Sequence, residues 1–468
     1  MVLRIARKEM TELLRDGRFR VLSAVVLAVS LMSLAAGWKQ YADISRQHQA
    51  AQAATREQWV NQPKKNPHSA AHYGVYAFKP KSQLAIVDTG IDPYMGVAVW
   101  LEAHKQNEFK YRPAQDRTAV QRFGEMTAAE VLQVLLPLFV VLMTFSAFSG
   151  EREQGTLRQV LSLGVSRRDL ALGKALGTAV ALGLVLVPAT LVGVAAIALT
   201  STGGYLAGDP TRAVVLAAVY LGYFVLFIAI SLAVSAWARS SRLALVLLLT
   251  FWFGNALVAS RAMADLAGWW HPTPSAVEFQ KAMEADLSNQ QEVQERIEKR
   301  KQELFVQHGV DSVDALPIAF SGVSLQEGEE HGNEVFDRHY GRLFDIYGRQ
   351  DGLLQLGGFV APTLAVRSIS MALAGTDLAQ HLDFIKAAEA YRRGIQRVLN
   401  HDIVVNQKKG QTYLAGPELW NQVPDFTYEA PSTAWVLHNV QVPLAILVGW
   451  LVLACVGLSR SARTARVE

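Results

Sequence analysis

Six windows of about 20 residues are almost free of charged side chains, and they constrain the fold more than any other feature of the sequence. A helix of about 20 apolar residues is long enough to cross the hydrocarbon core of a bilayer. The windows cover residues 19–38, 128–149, 175–199, 213–237, 243–263 and 434–458. We therefore expect an all-α polytopic membrane protein with six transmembrane helices, called spans one to six below.

The overall composition agrees with this expectation. Hydrophobic residues make up 51% of the chain and charged residues 18%, with a mean hydropathy of +0.16, which is unusually apolar for a soluble protein. The stretches between the windows are ordinary polar sequence. The single cysteine, Cys455, lies inside the last window, so an intramolecular disulfide and a cysteine-rich zinc site are both excluded.

The distribution of Lys and Arg predicts the orientation of the spans. Basic residues cluster in residues 1–18, in residues 150–174, in the short link between spans four and five, and in the tail 459–468, whereas residues 200–211 contain none. Basic loops favour the cytoplasmic side. We therefore expect a multi-pass protein of a bacterial inner membrane with both termini in the cytoplasm. The first apolar window is expected to anchor the chain, because it is longer than the core of a signal peptide.

Two large segments are then expected outside the cytoplasm, at residues 39–127 and 264–433. Each is long enough to fold as a domain. The second has apolar residues at helical spacing, for example over 277–306, which predicts a mainly α-helical domain. The first combines strand-like residues at 73–87 with several prolines, which predicts a mixed domain.

Residues 357–374 are apolar but are interrupted by Pro362 and Arg367. We expect them to touch the membrane surface and not to cross the bilayer. A seventh span here would also place the basic tail outside the cytoplasm.

Residues 1–18 predict an amphipathic helix directly before span one. Leu3, Ala6 and Met10 share one helical face, and most of the basic residues lie elsewhere. Such a helix is suited to lie on an anionic cytoplasmic leaflet. The alternative, a basic leader that only sets the orientation, stays open.

The most informative stretch follows span two, at residues 150–174, which we call the coupling segment. Gly155 and Gly164 bracket a short helix whose apolar face includes Leu157 and Leu161, and Ser166 is placed to cap the next helix. A short helix across the ends of two spans can be held by a soluble partner and can pass motion to both.

The coupling segment resembles that of ABC-2 type transporter permeases. The similarity lies in Ser-Gly-Glu-Arg-Glu-x-Gly-Thr-Leu, then about eight residues, Ser-Arg, and Gly-Lys opening the next span. The amphipathic start resembles the connector helix of that family, and six spans with both termini inside also match. The two large external segments resemble the subset of the family with two external domains.

The resemblance implies a permease subunit that exports a substrate across the inner membrane or extracts it from that membrane. It would be driven by cytoplasmic ABC ATPase subunits, which would hold the ATP and Mg. It also implies a second permease chain, identical or a sibling, in a dimeric translocation unit within the lipid bilayer. A periplasmic partner is left open, and no nucleic acid is expected. The residues expected to couple to the ATPase are Glu151, Arg152, Glu153, Gly155, Thr156, Leu157, Leu161, Ser166 and Arg167.

Polar residues inside the spans are candidates for a translocation pathway. They are Ser231, Ser235 and Asn255, although an interhelical hydrogen bond is an equally open interpretation for each. Gly173, Gly177 and Ala181 recur at four-residue spacing, which permits close helix approach.

The chain is not expected to be an enzyme or to hold a cofactor. It has no Gly-x-x-x-x-Gly-Lys-Ser/Thr phosphate loop, no His-Glu-x-x-His and no Gly-x-Ser-x-Gly. His68 and His72 are four residues apart, as two metal ligands on a helix could be. A second loose group consists of Glu329, Glu330, His331 and His339. Neither group is a complete ligand set, so the sequence does not predict a metal site.

The sequence disfavours two other functions. A membrane-anchored receptor or scaffold with ligand-binding external domains is disfavoured because the largest cytoplasmic segment, about 25 residues, is too small for an output domain. A secondary carrier is disfavoured because no Asp, Glu, Lys or Arg lies at the centre of a span. An adjacent ATPase gene would distinguish the permease from both.

Overall fold

The computed structural model describes residues 1–102, 104–110, 126–200 and 210–464. Within these residues, six helices are long and apolar enough to cross a membrane. They are Gly17–Val60, Ala128–Glu153, Arg167–Leu199, Thr211–Trp237, Ser241–Trp270 and Gln441–Arg463. The prediction of an all-α polytopic membrane protein with six transmembrane helices is therefore confirmed. Most of the predicted loop 200–211, part of segment 39–127 and the last residues of the tail 459–468 lie outside the described residues.

Span one continues far beyond the apolar window in which it was predicted. It runs without a break from Gly17 to Val60, because residues 39–60 contain no Gly or Pro and are rich in Ala, Gln and Arg, which are good helix formers. At 1.5 Å per residue the helix is about 66 Å long. This is about twice the thickness of a hydrocarbon core, so the second half of the helix lies beyond the membrane.

Span six begins later than the sequence predicted. Residues 433–439 form a separate short helix, Thr433–Asn439, and the membrane helix starts at Gln441. The break is at Val440, and Pro443 lies in the first turn of the new helix. The missing N–H of proline costs no hydrogen bond in a first turn. The predicted window 434–458 therefore combined two helices.

Spans two and five each contain one π-helical turn, at Val131–Leu135 and Gly254–Val258. Such turns are rare and often mark functional positions in helices. Each of the two turns carries a buried polar residue, Gln133 and Asn255.

The segment between spans one and two contains the short helix Pro67–Ala71 and, among the described residues, one three-stranded antiparallel sheet. Its strands are β1 (Val75–Phe78), β2 (Ala98–Leu101) and β3 (Gln106–Lys110), in that order. Val75 pairs with Leu101, which brings the end of β2 next to the start of β1. The prediction of a mixed fold for this segment agrees with this arrangement.

The segment between spans five and six is helical in the residues described. Its longer helices are Ala276–Leu287, Gln290–His308, Phe320–Leu356, Pro362–Ala374 and Leu378–Asn406, followed by the single turn Pro417–Trp420. The predicted periodicity at 277–306 corresponds to two helices, since Ser288 and Asn289 interrupt it.

The two large inter-span segments share one hydrophobic core. Trp59 and Val75 from the first pack in the same cluster as Phe384, Leu399 and Trp420 from the second. The Trp59 indole N–H donates to the carbonyl of Trp420 over 3.0 Å. Because buried aromatic side chains contribute strongly to folding, these segments form a single body, which we call the head (the described residues of 39–127 and 264–433).

Residues 357–374 occupy a different place from the one predicted. The helix Pro362–Ala374 packs against spans four and six, and its Ile369, Ala372 and Leu373 are fully buried. Only the preceding turn presents apolar side chains outward, at Phe359 and Val360. The expectation of contact with the membrane surface is wrong for the helix, because its apolar residues pack inside the protein.

Candidate coupling site

The coupling segment folds as two short helices, Ser149–Glu153 and Thr156–Ser162. Gly155 joins them with a φ of +72°, a left-handed conformation that favours glycine. Gly164, two residues after the end of the second helix, also has a positive φ. Ser166 then caps span three, because its hydroxyl accepts from the Asp169 N–H over 3.0 Å.

A buried lysine connects this segment to the N-terminal helix, Val2–Arg15. Lys174 on span three is 1% exposed. Its Nζ lies 2.8 Å from Glu151 Oε1 and 2.7 Å from Glu9 Oε1. Lys8 adds a second cation, 3.3 Å from Glu151. Three parts of the chain therefore meet at one group of alternating charges.

The same charges affect the titration of Lys8. Burial alone would lower the pKa of Lys8, but the carboxylates of Glu9, Glu12 and Glu151 raise it above its ordinary value. Lys8 therefore keeps its positive charge throughout the neutral range, and it supports the charge balance around the two carboxylates.

The N-terminal helix lies directly against span three at two glycines. A Cβ atom on Gly173 would be 2.5 Å from the Ile5 side chain, and one on Gly177 would be 2.7 Å from the Ala6 carbonyl oxygen. The stripe of small residues therefore permits close approach, as predicted. The stripe packs against the N-terminal helix. Neither interpretation of that helix from the sequence, a helix on the membrane surface or a basic leader, had included this packing role.

Two consecutive charged side chains fix the link between spans four and five. The Arg152 guanidinium donates to the carbonyls of Ala236, over 2.7 Å, and Ala238. The Glu153 carboxylate accepts from the backbone N–H and the hydroxyl of Ser241, each over 2.8 Å. These are groups that a helix end leaves without an internal partner. The coupling segment thus holds the end of one span and the beginning of the next.

The other predicted coupling residues face the bundle to different degrees. Leu157 is buried and Leu161 is partly buried. Thr156 donates to the Glu151 carbonyl over 3.1 Å, and Arg167 donates to the carbonyl of Arg463 at the end of span six. Most of the set therefore attaches the segment to the spans.

The outward surface of the segment consists mainly of residues that the sequence analysis did not single out. Arg158, Gln159 and Arg168 are exposed, and the Leu163 side chain is 80% exposed. The sequence did contain one sign that Leu163 belongs to this outward surface: it is an apolar residue directly before Gly164, the glycine that follows the short helix. Glu9 and Lys174 were also missed as ion-pair partners, since the pairing spans 165 residues.

Ser235 and Asn255 make structural hydrogen bonds. The Ser235 hydroxyl accepts from the backbone N–H groups of Phe148 and Ser149 over 3.0 and 3.2 Å, and so fixes the turn that leads into the coupling segment. The Asn255 amide donates to the Thr363 hydroxyl over 2.5 Å and accepts from the Thr363 N–H over 3.1 Å. These contacts support the interhelical interpretation for both residues.

Ser231 is different. Its hydroxyl is fully buried and makes no hydrogen bond to any residue that the structure describes. A buried polar atom without a partner is uncommon, so Ser231 stays a candidate for the pathway.

The polar residues of the two π-helical turns meet in one buried network. The Tyr223 hydroxyl lies 2.6 Å from the Thr363 hydroxyl that Asn255 contacts, and it donates to the Gln133 carbonyl over 3.1 Å. Gln133 in turn donates to the Tyr220 hydroxyl over 3.0 Å. Spans two, four and five are thereby joined to the helix Pro362–Ala374.

Comparison with protein families places the coupling segment in a known context. The model of a family described as ABC-2 family transporter protein matches residues 95–255, which include spans two to four and the whole coupling segment. Residues 95–255 are thus identified as a region of the ABC-2 transporter family. A second match, to a domain of unknown function called DUF3526, covers residues 276–429, within the head. No curated protein matches the chain at a significant level.

The match to the ABC-2 family indicates a general role in transport. Its six apolar helices make this chain a multi-pass membrane protein, and the family that residues 95–255 match consists of membrane subunits of transporters that are not enzymes themselves. The family in general works with an ABC ATPase.

Proposed function

We propose that this chain is the permease subunit of an ABC exporter in a bacterial inner membrane, driven by a separate ATPase that docks on the coupling segment. Both termini and this segment would lie in the cytoplasm, where ATP and Mg bind to the ATPase. The head would lie outside, where it receives cargo or contacts a periplasmic partner. Two permease chains, identical or siblings, would form the pathway.

The attachment of the coupling segment is the observation that carries this proposal. Glu151 binds span three through Lys174, Arg152 binds the end of span four, and Glu153 binds the start of span five. A force on this segment would reach three spans through short, charge-assisted hydrogen bonds, which are stronger than neutral ones.

The docking face is the outward side of the helix Thr156–Ser162 and of the turn after it. Leu163 is a central apolar contact there, and Arg158 and Gln159 are polar neighbours. An exposed apolar side chain surrounded by polar groups is typical of an interaction site. Leu157 faces the bundle, so a substitution there would report on folding more than on docking.

The test is co-purification with the ATPase encoded nearest to this chain, in mild detergent. We expect Leu163→Asp to reduce the bound ATPase at least tenfold, because a carboxylate would be buried at the contact. Val306→Asp in the head is the matched control, since Val306 is 84% exposed and lies far from the segment in the chain. It should bind as the wild type does.

Two outcomes would contradict the proposal. If no ATPase associates with the folded wild-type chain, the permease lacks its proposed motor. If Leu163→Asp and Val306→Asp bind equally well, the docking face is elsewhere. Both variants should elute from size exclusion at the wild-type position, so that a folding defect is not mistaken for lost docking.

A further inference from the structure

Three histidines converge on the surface of the head. His68 and His72 lie on and just after the short helix Pro67–Ala71, and His104 follows β2. One ring nitrogen from each lies within 4.8 Å of those of the other two. The Nε2 atoms of His72 and His104 are 3.1 Å apart. His68 is partly buried, and His72 and His104 are exposed.

Local structure explains why the three side chains meet. The Asn66 side chain accepts from the His68 N–H over 2.9 Å and starts the helix with Pro67 in its first turn. The four-residue spacing places His68 and His72 on one face. Because Leu101 pairs with Val75, the chain after β2 returns to the end of this helix. His104 therefore completes a set of which the sequence analysis had identified only two members.

The arrangement suits a divalent cation that prefers nitrogen ligands. Zinc binds imidazole nitrogen at about 2.0–2.1 Å in tetrahedral geometry, so two ligand nitrogens lie about 3.3 Å apart. The separation of 3.1 Å between His72 and His104 is close to this value. Three histidines leave a fourth position for water or another ligand.

A buried carboxylate orients one of the three rings. Glu329, on the helix Phe320–Leu356, is 6% exposed, and its Oε1 lies 2.6 Å from His104 Nδ1. Its second oxygen accepts from the Gln396 amide over 2.6 Å. A carboxylate that accepts from Nδ1 leaves Nε2 free to bind a metal, and histidines that bind metals usually have such a partner.

We propose that His68, His72 and His104 bind one zinc-like divalent cation, with Glu329 holding the ring of His104 in place. The three ligands belong to the segment between spans one and two, and Glu329 belongs to the segment between spans five and six. The ion therefore fastens the two segments of the head to each other. The other residues of the loose group in the sequence do not take part: His339 contacts Asp286 over 2.9 Å, and His331 lies 3.8 Å from Glu292.

The test is calorimetric titration of Zn²⁺ into the full chain, purified in detergent and freed of metal with a chelator. We expect one site per chain. Glu329→Gln should weaken binding 10–100-fold, as is typical when the partner of a metal-binding histidine is lost. His72→Ala and His104→Ala should weaken it more. His308→Ala, at an exposed histidine elsewhere in the head, should bind as the wild type does.

A second measurement keeps folding and binding apart. Zn²⁺ should raise the unfolding temperature of the wild type and of His308→Ala, because a ligand that binds only the folded state stabilises it. It should not raise that of His72→Ala, a change at an exposed side chain. The proposal is wrong if the wild type binds no zinc, or if the cluster variants bind it as tightly as His308→Ala does. Neither measurement depends on the ATPase.

Discussion

Lys174 joins the N-terminal helix and the coupling segment to span three. Its ammonium group is the shared partner of two carboxylates, Glu9 and Glu151, whose side chains are 12% and 16% exposed. It also lies 5.5 Å from the centre of the Phe148 ring, within the range of a cation–π contact. A buried charge is stable only when such partners surround it.

Lys174→Met should destabilise the protein by about 2 kcal/mol. Removing one member of a buried ion pair costs about 3–5 kcal/mol, and the partial exposure of both carboxylates and the nearby Lys8 reduce this value. Thermal unfolding in detergent measures the effect. Arg168→Met is the control, since Arg168 is an exposed basic residue of the same helix. Equal midpoints for the two variants would show that the ion pairs contribute little.

Contacts between residues that are close in the sequence could be predicted, and contacts between residues far apart in the sequence could not. Ser166 was recognised as a helix cap because its partner is three residues away. The contacts of Lys174 with Glu9 and of His104 with Glu329 were not predicted, because each joins residues more than 150 positions apart. A single sequence contains no local pattern that specifies such pairs. Metal binding was not predicted for the same reason, since the third histidine is 32 residues from the second.

At the level of the elements, span three and the N-terminal helix form a contact that tolerates almost no added volume. The periodicity of Gly173, Gly177 and Ala181 indicated a close contact but not its partner. Gly183, on the same span, differs from them because no described neighbouring atom lies within 4 Å of the place its Cβ would occupy. The two glycines, Gly177 and Gly183, therefore form a matched pair for mutation.

Gly177→Ala should loosen the N-terminal helix, at a cost of about 1–3 kcal/mol, because the added methyl group overlaps the backbone of Ala6. Gly183→Ala should be neutral, or stabilising by up to about 1 kcal/mol through helix propensity. The rate of tryptic cleavage at the arginines of the N-terminal helix measures the loosening. Faster cleavage in Gly183→Ala than in Gly177→Ala would refute the close-packing argument.

Element boundaries were less predictable than the number of spans. Hydropathy is a local property and predicted all six spans, but it could not separate span six from the helix before it. It also could not distinguish the buried helix Pro362–Ala374 from a surface segment, since apolar side chains are equally suited to a lipid surface and a protein interior.

At the scale of the whole molecule, the head and the coupling segment lie at opposite ends of the bundle. The chain enters the head from the ends of spans one and five, and the coupling segment follows span two and precedes span three. In the proposed orientation, which the basic residues favour, the coupling end lies in the cytoplasm.

The lone cysteine makes this orientation simple to test. After Cys455→Ser, single cysteines at exposed positions are introduced as Lys299→Cys in the head and Arg158→Cys in the coupling segment. A membrane-impermeant maleimide should label Lys299→Cys in sealed spheroplasts, and Arg158→Cys only after lysis. The reverse pattern would invert the proposed orientation, although the fold would be unaffected.

Span one has a mechanical consequence. Its first turn follows the N-terminal helix, and its last turn supplies Trp59 to the core of the head. A continuous helix about 66 Å long acts as a lever arm: a rotation of about 5° about its first turn displaces the far end by about 6 Å, as the length implies. Because Trp59 and Trp420 are bound to each other, the helices around Trp420 would move with it. A small angular change at one face of the membrane would therefore become a displacement of several ångströms at the other.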